Sequence, residues 1–174
     1  MSNEEAIEEI WEMFRETDRR FKETDRKLEE TTKAIGELGN RLGQFVEYSI
    51  KPALVRLFRQ RGIEVHEVHR DVEGERNGVA AQVDLLVVDE DVCVVVEVKS
   101  KLTTEDVDNH VDRMGRFKRV FPRYDDARAL GAVAAMVLPD DVAKYAYRRG
   151  FFVITSKGED VVILNDEDFT PAEW

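Results

Sequence analysis

The sequence predicts an α/β fold: a mixed β-sheet core flanked by helices on both faces, behind a long N-terminal coiled-coil helix. Three observations predict it. Apolar residues recur every seven positions from Ile7 to Leu42. The rest of the chain alternates helical stretches with short apolar runs. Two of those runs, VCVVV and VAAMVL, are too uniformly apolar to have a wet side, so helices must cover both faces of the sheet.

The first segment, residues 1–43, is an oligomerisation helix by its repeat. FRETDRR, FKETDRK and LEETTKA follow one another. Ile7, Phe14, Phe21, Leu28, Ile35 and Leu42 occupy the a positions, and Ile10, Thr17, Thr24, Thr31, Leu38 and Phe45 the d positions. A strict repeat of seven stays in register only if helices supercoil to the left around one another, so a partner helix is implied. Arg20 at g and Asp25 at the following e would meet across parallel helices, whereas antiparallel helices would set g against g and bring like charges together. A parallel homodimer is the first expectation, with three consecutive threonines at d weakening the seam. Gly36, Gly39 and Gly43 cluster where the heptads end, each costing a helix about 1 kcal/mol relative to alanine, and predict a flexible junction.

Residues 44–174 read as the core. A helix over 44–61 precedes a strand over 63–69 and a polar loop with Gly74, Asn77 and Gly78. Strands over 81–88 and 92–99 follow, then a helix capped by Thr103 or Thr104 and running to 120. A strand over 131–138, a helix over 140–149 ending at Gly150, and strands over 151–155 and 161–164 complete the order αβββαβαββ.

Composition bounds the function. No window approaches the ~20 apolar residues that cross a bilayer, and the start MSNEEAIEEI is acidic where a signal peptide is basic, so a soluble cytoplasmic protein is expected. Cys93 is the lone cysteine, which leaves no intramolecular disulfide. A net charge of -11, with residues 1–43 at -4 and 44–174 at -7, argues against nucleic-acid binding driven by a generally basic surface. The bases are uneven, however. Arg113, Arg116, Lys118, Arg119, Arg123 and Arg128 fall in one stretch, and the first four are either phosphate contacts or the wet face of a helix.

The chemistry concentrates in AQVDLLVVDEDVCVVVEVKS. Glu97 and Lys99 share one face of their strand. If Glu90 and Asp91 form a two-residue turn, Asp84 falls opposite Glu97 and Gln82 opposite Lys99, all on one face; a one-residue slip sends Asp84 to the far side. Paired positions of this kind hold Cβ atoms roughly 4.5 to 5.5 Å apart, close enough for both carboxylates to grip one hard cation. Two adjacent buried anions without such a cation raise each other's pKa. A Glu-x-Lys leaving a strand is also what a solvated ion pair looks like; the correctly spaced Asp84 is what favours a site. Glu47 lies on a helical stripe with Ile50, Leu54 and Leu57, a face otherwise meant for the core, though beside Tyr48 and Pro52 it could equally reach water. His66, His69 and His110 have no further histidine or cysteine at ligand spacing and read as surface or packing residues.

An acid in one strand, a short hairpin, and Glu-x-Lys ending the next strand resembles the PD-(D/E)XK nuclease superfamily, here as Val83-Asp84 and Glu97-Val98-Lys99, with Val83 in the place of the proline. The resemblance spans about 44–164 and implies a restriction-endonuclease-like core. A coiled-coil leader before such a core also resembles a group of uncharacterised prokaryotic proteins. The superfamily implies that Asp84 and Glu97, with the Val98 carbonyl, ligate Mg²⁺ (or Mn²⁺), that Lys99 orients or deprotonates the attacking water, that Glu47 supplies a further acid and that Gln82 stands beside the site. The expected activity is hydrolysis of phosphodiester bonds in DNA by a dimer. The alternative is a catalytically inactive, nuclease-like oligomeric module that binds or regulates.

Overall fold

The structure, a computed structural model, describes residues 3–174 apart from the side chains of Asn3 and Glu47. Contacts divide the chain between Arg41 and Leu42 into two compact units. Helix α1 (Asn3–Gln44) runs unbroken through Gly36, Gly39 and Gly43, where a junction was expected. Nothing lies within 4 Å of the Cβ position at any of the three. Once a helix is nucleated, each further residue closes its own hydrogen bond, so isolated glycines lower its stability without breaking it. The heptad apolar positions Ile7, Ile10, Phe14, Phe21, Leu28, Ile35 and Leu38 are 51–66% exposed. The three d-position threonines donate their hydroxyls to carbonyls one turn back, Thr17 to Met13, Thr24 to Arg20 and Thr31 to Lys27, at 2.7–2.8 Å. Ion pairs such as Lys22–Asp18 and Lys27–Glu23 lace the polar face, where solvent screens them.

In the second unit the helix widens into a π-helical turn over Phe45–Ile50 before α2 (Lys51–Arg59). Pro52 accounts for this widening, because its ring has no N–H to donate and crowds the carbonyl four residues earlier. Six strands follow: β1 (Glu67–Arg76), β2 (Val79–Val88), β3 (Val92–Lys101), β4 (Arg128–Val137), β5 (Phe152–Lys157) and β6 (Asp160–Ile163). They form one sheet in sequence order. The β3–β4 and β4–β5 pairs are parallel and the others antiparallel, so the sheet is mixed. Helices α3 (Thr104–Val120) and α4 (Asp140–Arg148) make the two crossovers.

The sheet is covered on both sides, as its apolar strands require. Ile50, Leu54, Leu57 and Phe58 pack with Leu85, Val87, Val94, Val96 and Val98 on one face. Val107, Met114 and Phe117 of α3 pack with Leu86, Cys93, Val95 and Val133 on the other. Burial pushes the Cys93 thiol up to about 11, which leaves it a poor nucleophile.

One element departs from expectation. The segment expected as a loop is the outer half of β1, which pairs with β2 from Glu67↔Val88 to Arg76↔Val79 around an Asn77–Gly78 turn. Both turn residues have positive φ, +52° and +75°, which Asn and Gly tolerate and a tight hairpin demands. The strand hides in the sequence because it is an edge, charged along both faces as exposed edges tend to be. Among the described residues no helix is long and apolar enough to cross a membrane.

Candidate active site

Strands β2 and β3 pair only as far as the site. Their ladder runs Val88↔Cys93, Val87↔Val94, Leu86↔Val95 and Leu85↔Val96, around Glu90 and Asp91, with the Asp89 N–H on the Val92 carbonyl at 2.8 Å. The ladder ends at Leu85↔Val96, one step short of Asp84 and Glu97, in the register that would set those two opposite each other. There the strands fork. By the alternation of this ladder the Val98 N–H belongs to the Val83 carbonyl; it donates instead to Asp84 Oδ2 at 2.8 Å. Sidedness changes at the same point: Leu85 and Val87 pack toward α2, whereas Val83 and Ala81 pack toward α3. Asp71, at the same level of β1, has φ +48°.

The fork corrects one expectation. Gln82 does not pair with Lys99, because strict alternation does not continue past Asp84. Gln82 is exposed and lines a shallow depression with Glu73, Glu75, Arg113 and Arg116. Glu47 falls within the π-helical turn, and its side chain lies outside the described residues.

Glu97 is 5% exposed and carries two cations. Lys99 Nζ lies 3.0 Å from its Oε1, and Arg113 Nη1 makes a close bond to its Oε2. Such a carboxylate is tolerable in the interior only because it is paired. Lys99 also lies 3.6 Å from Asp106 Oδ1. Asp106 is the third residue of α3, and its Oδ2 accepts the Thr103 N–H at 2.9 Å while Thr103 Oγ1 accepts the Asp106 N–H at 3.2 Å. One carboxylate therefore starts the helix and steadies the lysine.

Arg113 and His110 were legible only as part of a basic row and as a surface or packing histidine. The structure joins them to the site. Arg113 Nη1 lies 3.1 Å from His110 Nδ1, and His110 Nε2 lies 3.2 Å from the Val95 carbonyl. The imidazole is fully buried, and burial, with the Arg113 charge, pushes its pKa down to about 3, so it is neutral. The remaining histidines are surface residues, His66 beside Asp89 and His69 beside Glu67.

Burial, reinforced by the Glu97 charge, holds the Asp84 carboxyl above the ordinary carboxylate range, against the opposing pull of the Val98 N–H, Arg113 and Lys99. For Lys99, burial alone lowers the pKa, but the hydrogen bond and charge of Glu97 outweigh it and the amine stays above its ordinary value. Asp84→Asn is therefore expected to raise the melting temperature of the metal-free protein near neutral pH, the amide oxygen still accepting the Val98 N–H. A folded-state pKa above the unfolded one gives stability that is present at low pH and lost as pH rises through the folded value. The advantage of the variant should accordingly shrink toward acid. Melts in chelator from about pH 4 to 8 check this, and equal stability at neutral pH would contradict it.

The groups that the motif would offer to a metal are all oxygen donors: two carboxylates and the Val98 carbonyl. Among the described residues no group of three or more His, Cys, Asp or Glu side chains is placed to hold a metal. That set suits Mg²⁺, which keeps several waters and is commonly bound by one or two carboxylates plus a substrate phosphate, and does not suit zinc.

A family described as "Protein of unknown function (DUF3782)" matches residues 5–79, a stretch that ends before Asp84. No curated protein matches the chain. Two solved structures are similar. A repair endonuclease from Pyrococcus abyssi is 20% identical with a TM-score of 0.43, over 65% of this chain and 46% of that one. The protein of unknown function AF1548 is 15% identical with a TM-score of 0.42, over 62% of this chain and 59% of that one. The chain thus spans less than two thirds of either neighbour's length.

Proposed function

We propose that the protein is a metal-dependent phosphodiesterase of the PD-(D/E)XK nuclease type, cleaving DNA in the cytoplasm as a coiled-coil dimer. The carrying observation is the fork at which Asp84, disfavoured as an anion by burial and by Glu97, stands beside the Glu97–Lys99 pair. A divalent cation would relieve that disfavoured charge, which the opposing pull of Arg113 and Lys99 does not outweigh. The mixed sheet flanked by helices agrees with the restriction-endonuclease-like core that the motif implies.

In this reading Asp84, Glu97 and the Val98 carbonyl would hold Mg²⁺ or Mn²⁺, with Glu47 as a further acid. Such an ion, when bound, polarises the scissile phosphate and lowers the pKa of water. Lys99, 38% exposed and kept protonated by Glu97, donates to the phosphate or to the attacking water and so acts first as a cation rather than as a base. Arg116 and Arg119, exposed on α3, offer contacts for flanking phosphates on an otherwise acidic protein.

Supercoiled and single-stranded DNA incubated with the protein in Mg²⁺, Mn²⁺ or chelator tests the activity. Cleavage confined to the metal-containing samples is expected. One observation favours the alternative of an inactive binding module: both oxygens of Glu97 already carry a resident cation. DNA binding without strand cleavage in either metal would decide for that alternative.

The exposed heptad stripe of α1 supports the dimer, since a lone helix leaves it in water. Phe21→Glu, which places a charge at a central a position, is expected to convert the protein to a monomer with an intact core. Sedimentation equilibrium reads this directly, and a wild-type chain sedimenting as a monomer would dispose of the coiled coil.

A further inference from the structure

Arg113 has no part in the proposed chemistry, yet it is among the most constrained side chains near it. Val95 and Glu97 are two apart on β3 and face the same side of the sheet. His110 and Arg113 are three apart on α3 and are neighbours on the helix surface. These two pairs meet corner to corner: the Val95 carbonyl takes His110 Nε2 at 3.2 Å, His110 Nδ1 takes Arg113 at 3.1 Å, and Arg113 closes on Glu97 Oε2. A carbonyl can only accept, so Nε2 carries the proton and Nδ1 presents its lone pair to the guanidinium. The imidazole is fixed in turn by the Phe151 ring, whose centroid lies 4.8 Å away.

We infer that Arg113 is a built-in counter-cation for Glu97, aimed by His110, which holds the carboxylate paired and ordered without metal and competes with a divalent cation for it, an inference that rests on the reading of Asp84 and Glu97 as a metal site. The two resident cations are not equivalent. Lys99 is 38% exposed and divided between Glu97 and Asp106, whereas the Arg113 side chain is 19% exposed and committed to Glu97 on its buried side. A divalent cation shared by Asp84 and Glu97 meets the Arg113 charge at close range, where like charges interact strongly. Arg113 therefore makes the metal-free site stable and the metal affinity low. It is a positioning residue and touches neither substrate nor reacting atoms.

The opposite signs of these two effects make the test. Full-length wild type, Arg113→Met and Arg113→Lys are melted in chelator and titrated with Mn²⁺ by calorimetry. Arg113→Met is expected to melt at a lower temperature without metal, to bind Mn²⁺ about tenfold more tightly, and to be stabilised more by it. Arg113→Lys, which keeps the charge but loses the fork, should fall between the two in both readouts. If Arg113→Met folds only when Mn²⁺ is supplied, that is the extreme of the same result; if it does not fold at all, Arg113→Lys decides by the same criteria. Mn²⁺ binding that is equal in wild type and variant, or weaker in the variant, overturns the inference and leaves the metal site standing. No Mn²⁺ binding by any of the three overturns the metal site and the inference together.

Discussion

Glu97→Gln is expected to lower metal-dependent cleavage by about 10²–10⁴-fold while the protein stays folded, because an interaction of several kcal/mol with the ion is removed at little change in shape. The amide oxygen can still accept from Lys99. The amide nitrogen would face Arg113, two donors meeting, so the metal-free protein should also lose about 1–3 kcal/mol as the partly buried guanidinium goes unpaired. Activity and stability thus fall for separable reasons. Single-turnover cleavage at saturating Mn²⁺ measures the first and thermal melting in chelator the second. Cleavage within a factor of two of wild type would remove Glu97 from the chemistry.

A second large effect is expected from packing rather than from charge. A Cβ on Gly131 would sit 2.4 Å from both Cδ1 and Cε1 of Phe151, a fully buried ring that cannot retreat. Phe151 lies between His110, at 4.8 Å between centroids, and Trp174, at 6.1 Å. Gly131→Ala should therefore destabilise the protein by about 1–3 kcal/mol through overpacking. The strain should reach the site as well, because the displaced ring bears on the histidine that aims Arg113. Phe151→Leu added to Gly131→Ala should recover part of the loss. Thermal melting of both variants checks this, and a Gly131→Ala protein as stable as wild type would contradict the packing described.

What the sequence disclosed and what it withheld follow from the range of each interaction. The β2–β3 register could be read because it is local: a two-residue turn at Glu90 and Asp91 and the alternation of a short strand set a ladder that runs to Leu85↔Val96, one step short of Asp84 and Glu97. The helix start at Thr103 was legible for the same reason, although the acid completing the cap, Asp106, gave no sign that it would also reach Lys99. Alternation failed at Gln82 because the strands fork at Asp84, a side chain replacing a backbone acceptor, and no periodicity in the sequence reports that exchange. Arg113 looked like one more base in a row of six, since its pairing with Glu97 spans sixteen residues and depends on how α3 lies across the sheet. The Asn77–Gly78 turn was present as a signal but was outweighed by the charges of β1.

The central claim is that Asp84 and Glu97 together hold a divalent cation, and the most direct measurement is calorimetric titration of Mg²⁺ and Mn²⁺ into the wild type and into the Asp84→Asn, Glu97→Gln double variant. Binding by the wild type that disappears in the double variant, with the variant still folded by circular dichroism, is the predicted result. A wild type that binds neither ion, or a double variant that binds both as the wild type does, would contradict it.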